Sequence, residues 1–282
     1  MFHLIFGIPW LVVVLRFLQP LPWLFSVKAV IAIILLVASQ YHLVNRISSG
    51  SVFSPEFLRP LVIVFNMLMG TILLLALMQI ALDLVSLLLM PFKGHFPAVP
   101  VGLRYAMGLA VLGLAGFAVS QAIRVPPLKD IDVAIPGLPP AFEGYQMVQL
   151  TDLHISRLFE SSWSNEVVAR TNALNADLIV VTGDLIDGSV EARTSDIAPL
   201  ARLKARDGVF TIPGNHEYFF GYEEWMAYYQ GLNMTTLANS HTVIDRGGEK
   251  LVIAGVTDLS STRTAFPAPD VAAAISGAPA GA

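Results

Sequence analysis

The sequence predicts two joined parts of different class, an all-helical membrane anchor followed by an α/β (α+β) domain. Three observations carry this. Residues 1–123 are dominated by long apolar stretches in which Glu56 and Asp83 are the acidic residues. Residues 145–282 show short apolar runs, the mark of buried strands, alternating with helix-like segments. Between them, residues 124–144 hold too many prolines for a helix, since each removes a backbone donor and fixes φ.

In the first part, spans are expected at Leu4–Leu18, Leu24–Val44, Leu61–Leu82 and Tyr105–Ile123, judged against the ~20 apolar residues that cross a hydrocarbon core. The first is short and interrupted by Pro9 and Arg16. A cleaved signal peptide competes for it, but no basic segment precedes it and no small-residue cleavage site follows, so a retained helix is expected. Asp83 and Gln79 either lie within the bilayer, where ionisable groups mark pathways, or stand near the interface because the third helix stops before Asp83; the second is expected. His42 and His95 fall near helix ends, and Trp10, Trp23 and Tyr41 suit interfacial anchors. The expectation is an integral protein of a bacterial-type cell membrane with its later domain on the cytoplasmic side. The flanking charges do not decide the side: with four spans and the amino terminus inside, Arg46, Arg59, Arg124 and Lys129 face in while Arg16, Lys28, Lys93 and Arg104 face out.

The linker leads into the domain as an extended segment, with a short strand compatible at Ile131–Ile135. Strands follow at Tyr145–Leu150, Leu178–Val181 and Val209–Ile212. Helices are expected at Asn165–Asn175 behind a Ser164 cap, at Ser195–Lys204, and at Tyr222–Gln230. Thr242–Asp245 and Leu251–Ala254 flank Arg246-Gly247-Gly248-Glu249 as a hairpin. From Phe266 to Ala282 the chain is mostly Ala, Pro and Gly.

Charge separates the parts: six basic against two acidic residues give +4 for 1–123, and eleven against nineteen give −8 for 124–282. An acidic domain argues against a nucleic-acid partner, which needs clustered Lys and Arg to neutralise phosphates. The absence of cysteine excludes disulfides and thiolate metal sites.

Chemistry concentrates in three motifs: Asp152-Leu153-His154, Gly183-Asp184 and Gly214-Asn215-His216-Glu217. Each follows a predicted strand and therefore sits at a strand's carboxyl end, the edge where open α/β sheets collect ligands. Asp, Asn and His donors suit borderline divalent metals, and one carboxylate can bridge two ions. Taken singly, Asp152 and Asp184 would read as loop caps and His216 as a structural histidine; their joint company reverses this. Asp187 and Glu217 are expected to orient ligands rather than bind metal. Asp258, in Gly-Val-Thr-Asp, either lines the substrate cleft or is a turn residue.

The order D-x-H, G-D, G-N-H-[DE] resembles the calcineurin-like metallophosphoesterases. The resemblance implies a layered sandwich fold, two divalent ions (Mn, Fe, Zn or Mg), and metal-assisted hydrolysis of a phosphoester or pyrophosphate bond. It makes Asp152 and His154 ligands of the first ion, Asp184 the bridge, Asn215 a ligand of the second, and His216 the catalytic acid or phosphate-contacting group. The amino-terminal spans resemble those of enzymes that cleave UDP-2,3-diacylglucosamine in lipid A synthesis, which implies a phosphorylated, lipid-linked substrate beside the bilayer itself as partner.

The sequence also departs from that pattern. The further His and the G-H-x-H segment that complete the family's ligand set do not appear, and the one later histidine, His241, stands in a different context. The expectation is a truncated chain whose sandwich is incomplete at the carboxyl terminus and which holds one ion or fewer tightly, since two-metal hydrolysis needs both ions roughly 3.5–4 Å apart. Two other readings follow: an inert fragment, or a membrane transporter or scaffold with a regulatory soluble domain.

Overall fold

The computed structural model describes residues 2–282, which divide into two compact units, residues 2–124 and 125–282. The first is helical: α1 (Phe2–Val12), continued by a π-helical stretch over Val13–Leu18, then α2 (Phe25–Ser39), α3 (Tyr41–Ser49), α4 (Arg59–Lys93) and α5 (Val101–Ala122). Two helices, α4 and α5, are long and apolar enough to cross a membrane, and a third crossing arises if α2 and α3 form one bent span.

The helices differ from the four expected spans in three places. The second is broken by 58° at Gln40, whose φ of −100° and ψ of 26° leave the helical region. The amino-terminal helix is shorter than a regular span. The third helix does not stop before Asp83 but runs to Lys93, because a mostly apolar sequence resumes after Asp83 and Gly94 then ends it with a left-handed φ of 70°. At 35 residues α4 is about 50 Å long, more than the ~30 Å hydrocarbon core.

The second unit is built on a parallel four-stranded sheet in the order β1 (Met147–Leu150), β2 (Leu178–Thr182), β3 (Val209–Ile212), β4 (Thr235–Thr236). Between the strands run α6 (Ser161–Ala173), α7 (Val190–Ile197), α8 (Asn215–Phe219) and α9 (Tyr222–Gly231). A hairpin of β5 (Ser240–Arg246) and β6 (Glu249–Gly255) and a short α10 (Val271–Ile275) follow. Strand alternation buries both faces of the sheet. Ile179 and Val181 join Ile155, Leu185, Ile197 and Trp225 on one face; Leu178 and Phe210 join Phe142, Leu237 and Ile244 on the other.

Local departures from the sequence reading have local causes. No strand forms at 131–135. Ser189 caps α7 by accepting from Ala192 N at 3.3 Å, so the helix begins earlier than expected. Pro199, which has no N–H to donate, converts its continuation into a 3-10 turn over Ala198–Arg202.

Candidate metal centre

The loops after β1 and β2 leave the sheet side by side and remain hydrogen-bonded to each other. Asp152 N donates to Gly183 O at 3.3 Å, His154 N to Asp184 O at 3.0 Å and Ile155 N to Leu185 O at 2.8 Å. Asp187 N returns to Ile155 O at 3.0 Å. Asp152, His154 and Asp184 all have positive φ, of 52°, 43° and 52°. Such backbone is costly for residues with a Cβ and persists where surrounding bonds fix it.

The loop after β3 is brought in by two glycines. A Cβ on Gly183 would lie 2.4 Å from Gly214 N, and one on Gly214 would lie 2.3 Å from the Asp184 carboxylate. Neither position accepts a side chain. Glu217 then ties the loops together from beneath. Fully buried, its Oε2 accepts from Asp184 N (3.0 Å) and Gly214 N (2.7 Å), while Oε1 accepts from Leu185 N (3.0 Å) and the Tyr229 hydroxyl (2.9 Å). Burial first, and then the Glu217 carboxylate, raise the Tyr229 phenol well above its ordinary value, so it remains a donor.

These loops converge five of the sequence-predicted residues. One donor atom from each of His154, Asp184 and His216 lies within 4.8 Å of the others. Asp152 Oδ1 stands 3.9 Å from His154 Nε2, on a side chain that is 61% exposed. The Asn215 amide NH2 faces the Asp184 carboxylate and donates to its two oxygens at 3.3 and 2.8 Å. The His154–Asp184–His216 grouping is thus not identical to the ligand set implied by resemblance, which takes Asp152 and Asn215 in place of His216.

Asp187 stands behind both imidazoles. Its Oδ1 accepts from His154 Nδ1 at 3.0 Å and from His216 Nδ1 at 2.6 Å. With Nδ1–H committed there, Nε2 is the lone-pair nitrogen of each ring, the tautomer a metal or a phosphoryl group meets. Burial by itself would raise Asp187, but the two histidine hydrogen bonds outweigh it and hold the carboxyl below its ordinary value. The Asp187 hydrogen bond raises His154 in turn, against the opposing effect of burial. Asp184 also accepts from His216 N at 2.8 Å, which fixes the bridge candidate against the third loop.

Asp258 caps a 3-10 turn over Leu259–Arg263, accepting from Ser260 N at 2.7 Å. His241 Nδ1 meets the Ala274 carbonyl at 2.8 Å and stands outside the His154–Asp184–His216 group. The sequence reading missed Arg193, fully buried, whose Nε donates to Asp187 O at 2.8 Å, and Tyr229. An arginine in a polar helix and a tyrosine on an apolar stripe carry no signal that separates them from a solvated face and a core.

A crevice at the carboxyl edge of a parallel sheet, lined by Asp, Asn and His from three loops, offers the donor set of a divalent-metal site. Residues 146–270 match the family model of the calcineurin-like phosphoesterases. It is 31% identical over 169 residues to an uncharacterized metallophosphoesterase of Helicobacter pylori, covering 60% of this chain and 44% of that one. It is 29% identical over 179 residues to a transmembrane protein with metallophosphoesterase domain of Danio rerio, covering 62% and 40%. With an uncharacterized metallophosphoesterase of Campylobacter jejuni it shares 29% over 200 residues, 69% of this chain and 52% of the relative. The chain spans about half, or less, of the length of these relatives. No solved structure matches it.

Proposed function

We propose that this chain acts as a membrane-anchored, metal-dependent hydrolase of phosphoester or pyrophosphate bonds. The observation that carries the reading is the convergence of Asp152, His154, Asp184, Asn215 and His216 from three loops, with both imidazoles turned by one carboxylate. Asp152, His154 and Asp184 would hold one divalent ion, and Asp184 with Asn215 a second. Bound there, such ions supply Lewis-acid stabilisation of charge on phosphoryl oxygens. His216, when doubly protonated, holds at Nε2 a proton it can deliver to the leaving oxygen, with Asp187 balancing the imidazolium. Two apolar helices on the same chain support a substrate presented at the bilayer, such as a lipid-linked pyrophosphate of the UDP-2,3-diacylglucosamine kind.

The donor count favours a second reading. Asp184 and Asn215 are two protein ligands for the second ion, so a chain that binds one ion and does not turn over is the alternative. Elemental analysis of the purified full chain, paired with Mn-dependent hydrolysis of bis-p-nitrophenyl phosphate, decides between them. Two ions and turnover abolished by Asp184→Ala support the hydrolase; one ion or none, without turnover, supports the inert form.

A further inference from the structure

The membrane unit contains a polar cluster that the phosphoesterase reading does not use. Arg16, on the π-helical stretch, forms a two-pronged pair with Asp83 of α4: Nε to Oδ2 at 2.9 Å and Nη2 to Oδ1 at 3.0 Å. Gln79, fully buried one turn earlier, donates from Nε2 to Asp83 Oδ1 at 2.8 Å. Three donors thus converge on the single carboxylate. Arg104 of α5 has 7% of its surface exposed, and its Nη1 donates to two neutral acceptors, Arg16 O at 2.6 Å and Gln79 Oε1 at 3.3 Å. Among the described residues no carboxylate pairs with it. Two guanidinium groups therefore share one negative charge, and the cluster carries a net charge of about +1 within an apolar bundle. A buried charge without a counter-ion is costly there.

An apolar feature adjoins the charge. Tyr105, the residue after Arg104, accepts a hydrogen bond from Trp23 Nε1 at 3.1 Å, and the two rings stack with centroids 6.0 Å apart. Trp23 lines an open groove of about 440 Å³ with Pro22, Leu24, Val27 and Ile31. Lys28, next to Val27, turns its ammonium onto the Gln19 and Leu21 carbonyls, adding a second cation without a carboxylate partner at that turn. Trp and Tyr at one bundle end are the mark of the headgroup level, and basic pockets between membrane helices are suited to anionic headgroups.

We infer that Arg104, together with the groove headed by Trp23, forms a binding site for an anionic phospholipid. The headgroup phosphate supplies the missing charge to Arg104, and one acyl chain lies along Trp23, Val27 and Ile31. Acidic headgroup and apolar chain are both required by the site, which is why a lipid fits better than a free anion. The inference does not depend on the hydrolase reading, since none of its residues belongs to the phosphoesterase domain.

Native mass spectrometry of the full chain in neutral detergent, titrated with phosphatidylglycerol, phosphatidylcholine or inorganic phosphate, tests it. The expected result is one retained phosphatidylglycerol that neither phosphatidylcholine nor phosphate displaces. Arg104→Gln should weaken that binding about tenfold or more, the scale of one lost charge-assisted hydrogen bond, and leave phosphatidylcholine binding unchanged. Equal retention of the two lipids by the unmodified chain overturns the inference even if the variant fails to fold. Displacement by phosphate alone, or a folded Arg104→Gln variant that keeps phosphatidylglycerol, overturns it as well.

Discussion

Replacing Glu217 with Gln tests whether the metal centre is built on a buried carboxylate. The carboxylate accepts four hydrogen bonds, two at each oxygen. Glutamine keeps a single acceptor atom. With its oxygen in the Oε2 position it retains Asp184 N and Gly214 N as neutral bonds and sets its NH2 against Leu185 N–H. The Tyr229 hydroxyl can rotate to accept, but Leu185 N–H is left facing a donor. The opposite orientation abandons two backbone donors and is worse. Losing one charge-assisted bond and stranding one buried donor sums to about 3–5 kcal/mol. Denaturant unfolding of the full chain in detergent, followed by near-UV circular dichroism, should show that loss, because Trp225 packs on Tyr229 with ring centroids 5.5 Å apart. Mn binding measured on the folded fraction should weaken in parallel, since Asp184 takes its position from the bond at its own N–H. A variant within about 1 kcal/mol of the parent, with unaltered Mn affinity, would falsify the view that Glu217 holds the bridge.

Gly214→Ala should abolish Mn binding, because the new Cβ falls 2.3 Å from Asp184 Oδ1 and 2.5 Å from Asp184 N; calorimetry that finds normal affinity would contradict the interlock. Metal binding should also depend on pH through His154, whose ordinary value of 6.5 is raised chiefly by its hydrogen bond to Asp187. The His154–Asp187 pair stabilises the metal-free fold fully below pH 6.5 and loses that contribution as pH rises through the raised value. Metal requires the neutral ring, so affinity runs the other way and falls as pH drops through the same value. Asp187→Asn removes the first cause of the rise and should move the midpoint of the affinity loss to lower pH; an unmoved midpoint in a Mn titration across about pH 5 to 9 would sink the assignment. Arg246→Met should destabilise the domain by about 1–3 kcal/mol without changing metal affinity. Its Nη2 joins Asp177 at 2.9 Å and Asp207 at 2.6 Å, while Asp184, His154 and His216 receive no bond from it, so a change in Mn affinity would show unexpected coupling.

The parts of this protein legible in its sequence are those written in short-range patterns. Met147–Leu150, Leu178–Thr182 and Val209–Ile212 were readable because apolar runs bounded by Gly, Asp and Asn have few other uses. The hairpin was readable from Gly247-Gly248, which take φ of 65° and 92°. The motif residues could be placed at one edge because each followed such a run. Long-range pairing was not legible. That Asp83 is paired within the helical unit rests on Arg16, 67 positions away, meeting its carboxylate. The division of labour around Asp187 depends on Arg193 and on two histidines from different loops, and nothing in Gly183-Asp184-Leu185-Ile186-Asp187 states which carboxylate turns inward.

That division follows from how many donors each acidic residue has been given. Glu217 accepts four hydrogen bonds with no surface exposed, so every lone pair is directed at protein and none remains for a cation. Asp187 accepts from both imidazoles and turns their Nε2 atoms into lone-pair nitrogens. Asp184 accepts from His216 N at Oδ1 and from the Asn215 amide at both oxygens, and is less buried than Glu217. Asp152 accepts from the neighbouring Thr151 hydroxyl and is otherwise turned toward solvent. Four carboxylates near one sheet edge thus form a series from scaffold to ligand, ordered by burial and by the donors the backbone supplies. Asp152 and Asp184, the candidate ligands in that series, are held at positive φ, where the chain reverses sharply enough to present successive side chains to the same crevice.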